Sequence, residues 1–161
     1  MECPRQMPER PTVSLRTVRL TPGDTEMARR LFSLMAEVFE ERSEPLGDRY
    51  LERLLNRPEF WAMAALVDDQ LVGGVTAHAI PITTSESSEL FVYDVAVRVD
   101  VQRQGIGRAL MTALRAAATA EGIGDVFVPA DNEDTHALDF YRGLGGIPTP
   151  VTFFTFEGDP E

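Results

Sequence analysis

Residues 91 to 114, FVYDVAVRVDVQRQGIGRALMTAL, constrain this chain more than any other stretch. An apolar, strand-like run breaks into a loop punctuated by Gly105 and Gly107. It then passes into a helical pattern whose apolar positions are Ile106, Ala109, Leu110, Ala113, Leu114 and Ala117. A strand that delivers a glycine-rich turn onto a helix start is an anion site in outline, because unpaired backbone N–H groups and the positive end of the helix dipole converge there. Two familiar glycine loops are excluded. No GK[ST] follows and the chain has no lysine, so this is not a nucleoside triphosphate loop; GIGRAL has Leu110 where a dinucleotide fingerprint needs its third glycine. What remains is Gln102–Gly107, QRQGIG, which fits the pattern Q/R-x-x-G-x-G/A.

The elements around this junction predict one α+β domain with a mixed sheet. Residues 1 to 11 carry three prolines without periodicity and read as a loose leader, leaving 12 to 161 as a single domain. VSLRTVRL alternates as a strand does. Thr21 is expected to cap a first helix with Pro22 at its first position and Asp24 in the capping-box place, running to about Phe39. Asp48 opens a short helix expected to bury Tyr50, Leu51, Leu54 and Leu55. FWAMAALV and LVGGVTAHAI form a hairpin around Asp68, Asp69 and Gln70. LFVYDVAV, apolar on both faces, reads as a central strand. After the glycine loop and its helix come a strand at VFVPAD, a helix at THALDFYRGLGG and a closing strand at VTFFTFEG.

Charge narrows the partners. The chain of 161 residues has 26 acidic and 15 basic side chains, for a net charge of −11. A nucleic acid is a poor partner for it, and a polycation a good one if the acids line a cleft. The one cysteine, Cys3, allows no disulfide framework, which points to a reducing, cytoplasmic setting. No apolar run is long enough to span a bilayer. Two histidines, His78 and His136, without close ligand spacing predict no metal; His78 reads as a strand-packing residue and His136 as an exposed helix-start residue.

The order strand, QRQGIG, helix, strand, helix with tyrosine and glycine, as in VFVPADNEDTHALDFYRGLG, resembles the GNAT superfamily of N-acetyltransferases from residue 13 to 157. The resemblance implies a GNAT fold, a central, mostly antiparallel mixed sheet flanked by about four helices. It also implies acetyl-CoA as acetyl donor. Gly105 and Gly107 would let the backbone approach its pyrophosphate, with Gln102, Arg103, Gln104, Ile106 and Arg108 completing the cradle. By the same resemblance the backbone of Val95, Ala96 and Val97 meets the pantetheine arm and offers an oxyanion donor, while Asn132, Ala137 and Phe140 lie along the coenzyme. Tyr141 matches the tyrosine that in many relatives protonates the departing thiolate; its alternative is a core-facing aromatic beside Phe140 and Leu144.

Asp94 stands among apolar neighbours, where a carboxylate is costly unless hydrogen-bonded or paired. Either a nearby arginine satisfies it, or it takes a proton from, or binds, a substrate ammonium. SELFVYDVAV, QRQGIGRAL, PADNEDTHALDFYRGLG and FFTFEGDPE are together similar to the aminoglycoside 3-N-acetyltransferases of type I, the gentamicin and fortimicin class. That implies a polycationic antibiotic as acceptor and resistance as the role, and makes a homodimer plausible. Glu89, Tyr93, Asp94, Asp131, Glu133 and Asp134 are then the expected substrate contacts, the acids near strand C-termini, with Glu40, Glu41 and Glu44 as an opposite wall. The alternatives are acetylation of another amine, a polyamine or a protein, and a silent acyl-CoA-binding module.

Overall fold

The computed structural model describes residues 13 to 158. Five strands, β1 (Leu15–Arg19), β2 (Phe60–Val67), β3 (Gln70–Pro81), β4 (Ser88–Val97) and β5 (Val126–Phe127), form one sheet in the order β1-β2-β3-β4-β5. The pairs are antiparallel except β4 with β5, which is parallel. Helices α1 (Thr25–Val38) and α2 (Asp48–Leu55) precede β2, α3 (Ile106–Ala120) follows β4, and α4 (Thr135–Gly143) follows β5. The expected α+β fold with a mixed sheet and four helices is what forms. The chain separates into two compact units, Met1–Pro129 and Ala130–Glu161; the first holds the sheet and the second holds α4.

Both faces of the sheet are covered in the first unit. On one, Leu31 and Met35 of α1 and Leu51 and Leu55 of α2 pack with Ala62, Ala64 and Ala96 of the sheet. On the other, α3 crosses β1 to β4 with Ile106, Leu110, Met111, Leu114 and Ala118 buried. Each fully buried leucine contributes roughly 1.5–3 kcal/mol. The alanines and glycines between them are not passive. A Cβ on Gly73 would stand 2.5 Å from the Ala96 carbonyl oxygen, and one on Gly74 would stand 2.6 Å from that of Met63 and collide with Leu31. The bare backbone of VGGV is therefore what lets α1 and β4 close onto β3.

Several expectations are corrected. Thr21 does not cap α1: Thr21–Asp24 is a turn in which Asp24 Oδ2 accepts from the Thr21 amide (2.7 Å) and hydroxyl (2.8 Å), and Asp24 is the residue before the helix. Half of the capping box forms, the carboxylate reaching back to the Thr21 amide, but the Asp24 amide donates to the Thr21 carbonyl and closes a turn, which Pro22 and Gly23 favour. Tyr50 stays exposed, and Leu54 is only half-buried. β4 is not central; β3 is, and β4 looks apolar on both sides because helices cover both of its faces. The strand expected at VFVPAD shortens to two residues, and VTFFTFEG forms no strand: Phe153, Phe154 and Phe156 are all exposed. The leader at 1 to 11 lies outside the described residues. The hairpin between β2 and β3 turns at Asp68 and Asp69, both with positive φ (49° and 63°), as a tight two-residue hairpin requires.

Candidate functional site

The site is organised by one extra residue in β4. Thr76 pairs with Asp94 and Ala77 with Val92, so Tyr93 has no partner across the ladder. This is a β-bulge, which bends the strand and breaks the strict alternation of faces. Thr76 also pairs with Ala62, a member of the core under α1 and α2, so Asp94 opposite Thr76 lies on that side of the sheet. Tyr93 lies there too, with its ring 6.0 Å from that of His78, which in turn packs 5.4 Å from Phe60. Two consecutive side chains thus project on one face.

Asp94 is half-buried. Its carboxyl is pushed above the usual aspartate value, first by burial and second by the negative charge of Glu41, and no cation or hydrogen bond offsets either. The arginine that would have made it a structural residue is not found among the described side chains. Glu41 belongs to the stretch after α1, where an open groove of about 790 Å³ is lined by Glu37, Glu41 and Glu44 against a single Arg42. An ammonium entering here meets carboxylates that stand together without enough cations, which is the condition for binding one.

A first prediction follows from this pairing. Glu41→Gln removes the second cause of the upward shift and leaves the first. A neutral neighbour favours the Asp94 carboxylate, so the ionised form is reached at lower pH. The midpoint of the Asp94 carboxyl titration, followed by NMR, should therefore move down, yet remain above the range of an ordinary aspartate. A midpoint that does not move would remove Glu41 from the field felt by Asp94.

Beyond the bulge, β4 has an open edge. β5 pairs only with Leu90 and Phe91, so from Val92 to Val97 the backbone groups pointing away from β3 have no strand partner among the described residues. The chain then turns through Val99–Val101, braced by Arg98 donating to both carboxylate oxygens of Asp100 (2.5 and 2.9 Å). That contact holds the Asp100 carboxyl below the usual range. Gln102 Nε2 donates to the Val97 carbonyl oxygen (2.9 Å) and ties the loop to the end of β4. Arg103 (φ 62°) and Gly105 (φ 82°) both adopt the left-handed conformation, and Gly105 immediately precedes α3. A non-glycine residue held there costs of order 1–3 kcal/mol, a strain typical of ligand loops. The amides of Ile106, Gly107 and Arg108 open the helix, where no intrahelical carbonyl is available to them.

The remaining expected residues divide. Glu89 is at the N-terminal end of β4 opposite Ile80, not at a strand C-terminus; five residues from Asp94, it lies about 17 Å along the strand. Glu89 stands second in SELFVYDVAV, so its order in the strand already sets it at the end away from Asp94. In the second unit, Asp131 Oδ1 accepts from the Glu133 amide (2.9 Å) and Asp134 Oδ1 caps α4 by accepting from the Ala137 amide (3.0 Å), while Asn132 and Glu133 are exposed. These two carboxylates shape the turn, a role that the spacing D-x-x-D-x-x-A already carried. Ala137, Phe140 and Tyr141 are half-buried on α4, with the Phe140 and Tyr141 rings 5.0 Å apart, and His136 is exposed. His78 packs in the sheet as expected. Unforeseen was its place in a row of rings beside Asp94, for which the alternate aromatics Phe91 and Tyr93 were the available signal. Among the described residues no cluster of three or more His, Cys, Asp or Glu is arranged to hold a metal, and no helix is long and apolar enough to cross a membrane.

The acetyltransferase (GNAT) family model matches residues 27–145, the stretch that contains the bulged strand, the glycine loop and the helix it opens. The chain belongs to the GNAT acetyltransferase family. Among solved structures it is similar to an aminoglycoside acetyltransferase from an uncultured soil metagenomic sample, 31% identical over 91% of this chain and 99% of that one, with a TM-score of 0.86. A second such enzyme, also from an uncultured soil metagenomic sample and solved with sisomicin, is 34% identical over 89% of this chain and 97% of that one, with a TM-score of 0.83. N-acetyltransferase family 8 member 3 of Mus musculus is 26% identical over 87 residues, 54% of this chain and 38% of that protein, so the match spans well under half the length of the curated relative.

The residues present fit coenzyme A. A Cβ added at Gly105 would meet no atom of the protein within 4 Å, so the space in front of the loop is open to a ligand. The loop backbone from Arg103 to Arg108 would hold its pyrophosphate, and the free edge of β4 would pair with the amides of its pantetheine arm.

Proposed function

We propose that the protein transfers the acetyl group of acetyl-CoA to the 3-amino group of aminoglycosides such as gentamicin, acting in the cytoplasm and conferring resistance. The observation that carries this reading is the unpaired Asp94 on the same face as Tyr93, within the field of Glu41 and the acidic groove. The similarity to two aminoglycoside acetyltransferases at 31 and 34% identity supports the same acceptor class.

The coenzyme supplies an activated thioester when bound. Asp94 takes a proton from the acceptor ammonium, directly or through one water, so that the nitrogen lone pair can attack the thioester carbonyl carbon. Backbone N–H groups on the free edge of β4 near Val95 to Val97 stabilise the negative oxygen that develops. The C–S bond then breaks as the attacking nitrogen loses its second proton, and Tyr141 is assigned, on its match to the family tyrosine, to protonate the departing thiolate and to recover its own proton from that nitrogen through solvent. Tyr93 and the carboxylates Glu37, Glu41 and Glu44 hold the remaining ammonium groups. Asp131, Glu133 and Asp134 are retained as contacts of the polycation, and Glu89, by its place on β4, is not.

The deciding assay is thiol release from acetyl-CoA by the purified protein with gentamicin, spermidine and a lysine-containing peptide, followed by mass and position of the product. Rapid turnover of gentamicin at the 3-amino group supports the reading. Acetylation at another amino group overturns the regiochemistry, and turnover of spermidine or the peptide alone overturns the acceptor.

A further inference from the structure

On the face of the sheet that carries Asp94, aromatic rings run in an unbroken row from β2 to β5. Phe60 and His78 are 5.4 Å apart, His78 and Tyr93 6.0 Å, Tyr93 and Phe91 6.0 Å, and Phe91 and Phe127 5.2 Å, all tilted or edge-to-face. None of the five is fully buried; Tyr93 is 63% exposed and Phe127 43%. Phe60 at one end packs against the core and edge-on to Phe32 of α1 (6.2 Å), but the row runs on from it into His78, Phe91, Tyr93 and Phe127, which stay partly or largely exposed, and contiguous exposed apolar surface usually marks a binding site. The bulge is what brings this row up to the carboxylate, because Tyr93 belongs to the row and is the neighbour of Asp94.

We propose that Phe60, His78, Phe91 and Tyr93 form a stacking platform that selects acceptors built from rigid amino-sugar or aminocyclitol rings over flexible linear polyamines, with His78 and Phe91 as its specificity-determining residues. This rests on the aminoglycoside reading and specifies how it would be achieved. The occupant follows from charge and shape together. Carboxylates at Asp94, Glu37, Glu41 and Glu44 attract rigid and flexible polycations alike, so they do not by themselves select a ring over a chain. A saturated six-membered ring presents a flat face of C–H groups that lies against an aromatic face, and its ammonium substituents gain a further attraction from the ring quadrupole. Spermine and spermidine offer only a narrow methylene chain and must lose many rotors to lie along the row.

The test is calorimetric binding of gentamicin and of spermine to the whole protein, together with steady-state turnover, for wild type, His78→Ala, Phe91→Ala and His78→Phe. Acetyl-CoA affinity serves as the check that each variant is folded. The alanine variants should weaken gentamicin binding and raise its KM about tenfold, with spermine affinity and acetyl-CoA affinity within about twofold of wild type. His78→Phe, which keeps a ring and removes the imidazole, should restore most of the gentamicin affinity. The proposal is overturned if wild type binds no gentamicin, if gentamicin affinity survives both alanine variants, or if spermine falls in step. Gentamicin that binds and responds as stated, but is acetylated elsewhere or not at all, leaves the platform standing and removes the 3-amino reading instead. Should an alanine variant lose acetyl-CoA affinity as well, Phe91→Leu, which keeps apolar volume without a ring, decides by the same criteria.

Discussion

Asp94→Asn is expected to lower kcat/KM for the acceptor by about 100- to 10,000-fold, the range typical of a lost general base, while leaving acetyl-CoA affinity within about twofold. The separation is expected because the carboxylate sits on the α1/α2 face of β4, whereas the coenzyme contacts proposed above are backbone groups on the edge of the strand and in the loop beyond it. The same variant should be more heat-stable than wild type at neutral pH. The folded protein raises the Asp94 pKa, so between the ordinary aspartate value and the raised one it holds a proton that the unfolded chain releases. Stability then falls as pH rises through that window and stays lowered above it. Asparagine carries no charge to bury, so its advantage in Tm should be present at pH 7 and vanish below about pH 4, where both states of the wild type are protonated. Activity profiles and melting curves measured over pH 4 to 8 check both halves. A variant that is slower and also less stable at pH 7 would mean that Asp94 holds the strand together.

Gly105→Asp should abolish measurable acetyl-CoA binding, with Kd raised at least about 100-fold. The added Cβ would stand where φ is 82° and would meet nothing within 4 Å beyond its own chain neighbours, so the fold has room for the start of the side chain. The fold bears only the strain of a left-handed aspartate, about 1–2 kcal/mol, and aspartate tolerates that conformation better than most residues. The ligand bears the rest, because a negative group then occupies the space meant for a pyrophosphate, and like charges in contact cost several kcal/mol. Titration of acetyl-CoA by calorimetry, beside a melting curve, separates the two effects. Retained affinity would remove the loop from the coenzyme site; a collapsed melting curve would move the defect to folding.

What the sequence disclosed, and what it hid, follows from the range of the interactions involved. QRQGIG was readable because its requirements are local: a glycine that can take positive φ and a helix that starts at once. The α3 stripe, the hairpin at Asp68 and Asp69 and the short α2 were readable for the same reason. Asp94 could be singled out because a carboxylate inside LFVYDVAV conflicts with its neighbours, although only the fold shows that no arginine resolves the conflict. The bulge at Tyr93 was not legible as such, since an extra residue in β4 is defined by what stands opposite it on β3. His78 and Phe91 therefore looked like separate packing residues rather than members of one row. Glu89 was misplaced for a plainer reason: it stands second in SELFVYDVAV, so residue order alone already set it at the N-terminal end of the strand. Thr21 and Asp24 show a local failure, in which two residues suited to one capping motif settled into the turn that Pro22 and Gly23 prefer.

The bulge also bears on how such a site can be gained or lost by descent. Every pairing of β4 with β3 apart from Tyr93 already obeys the alternation of a regular ladder, with Val92 against Ala77 and Asp94 against Thr76. Removing Tyr93 alone would close the ladder without sending any neighbour to the wrong face. The bend that accompanies the end of β5 pairing would go with it. A single codon thus separates a bulged strand from a regular one.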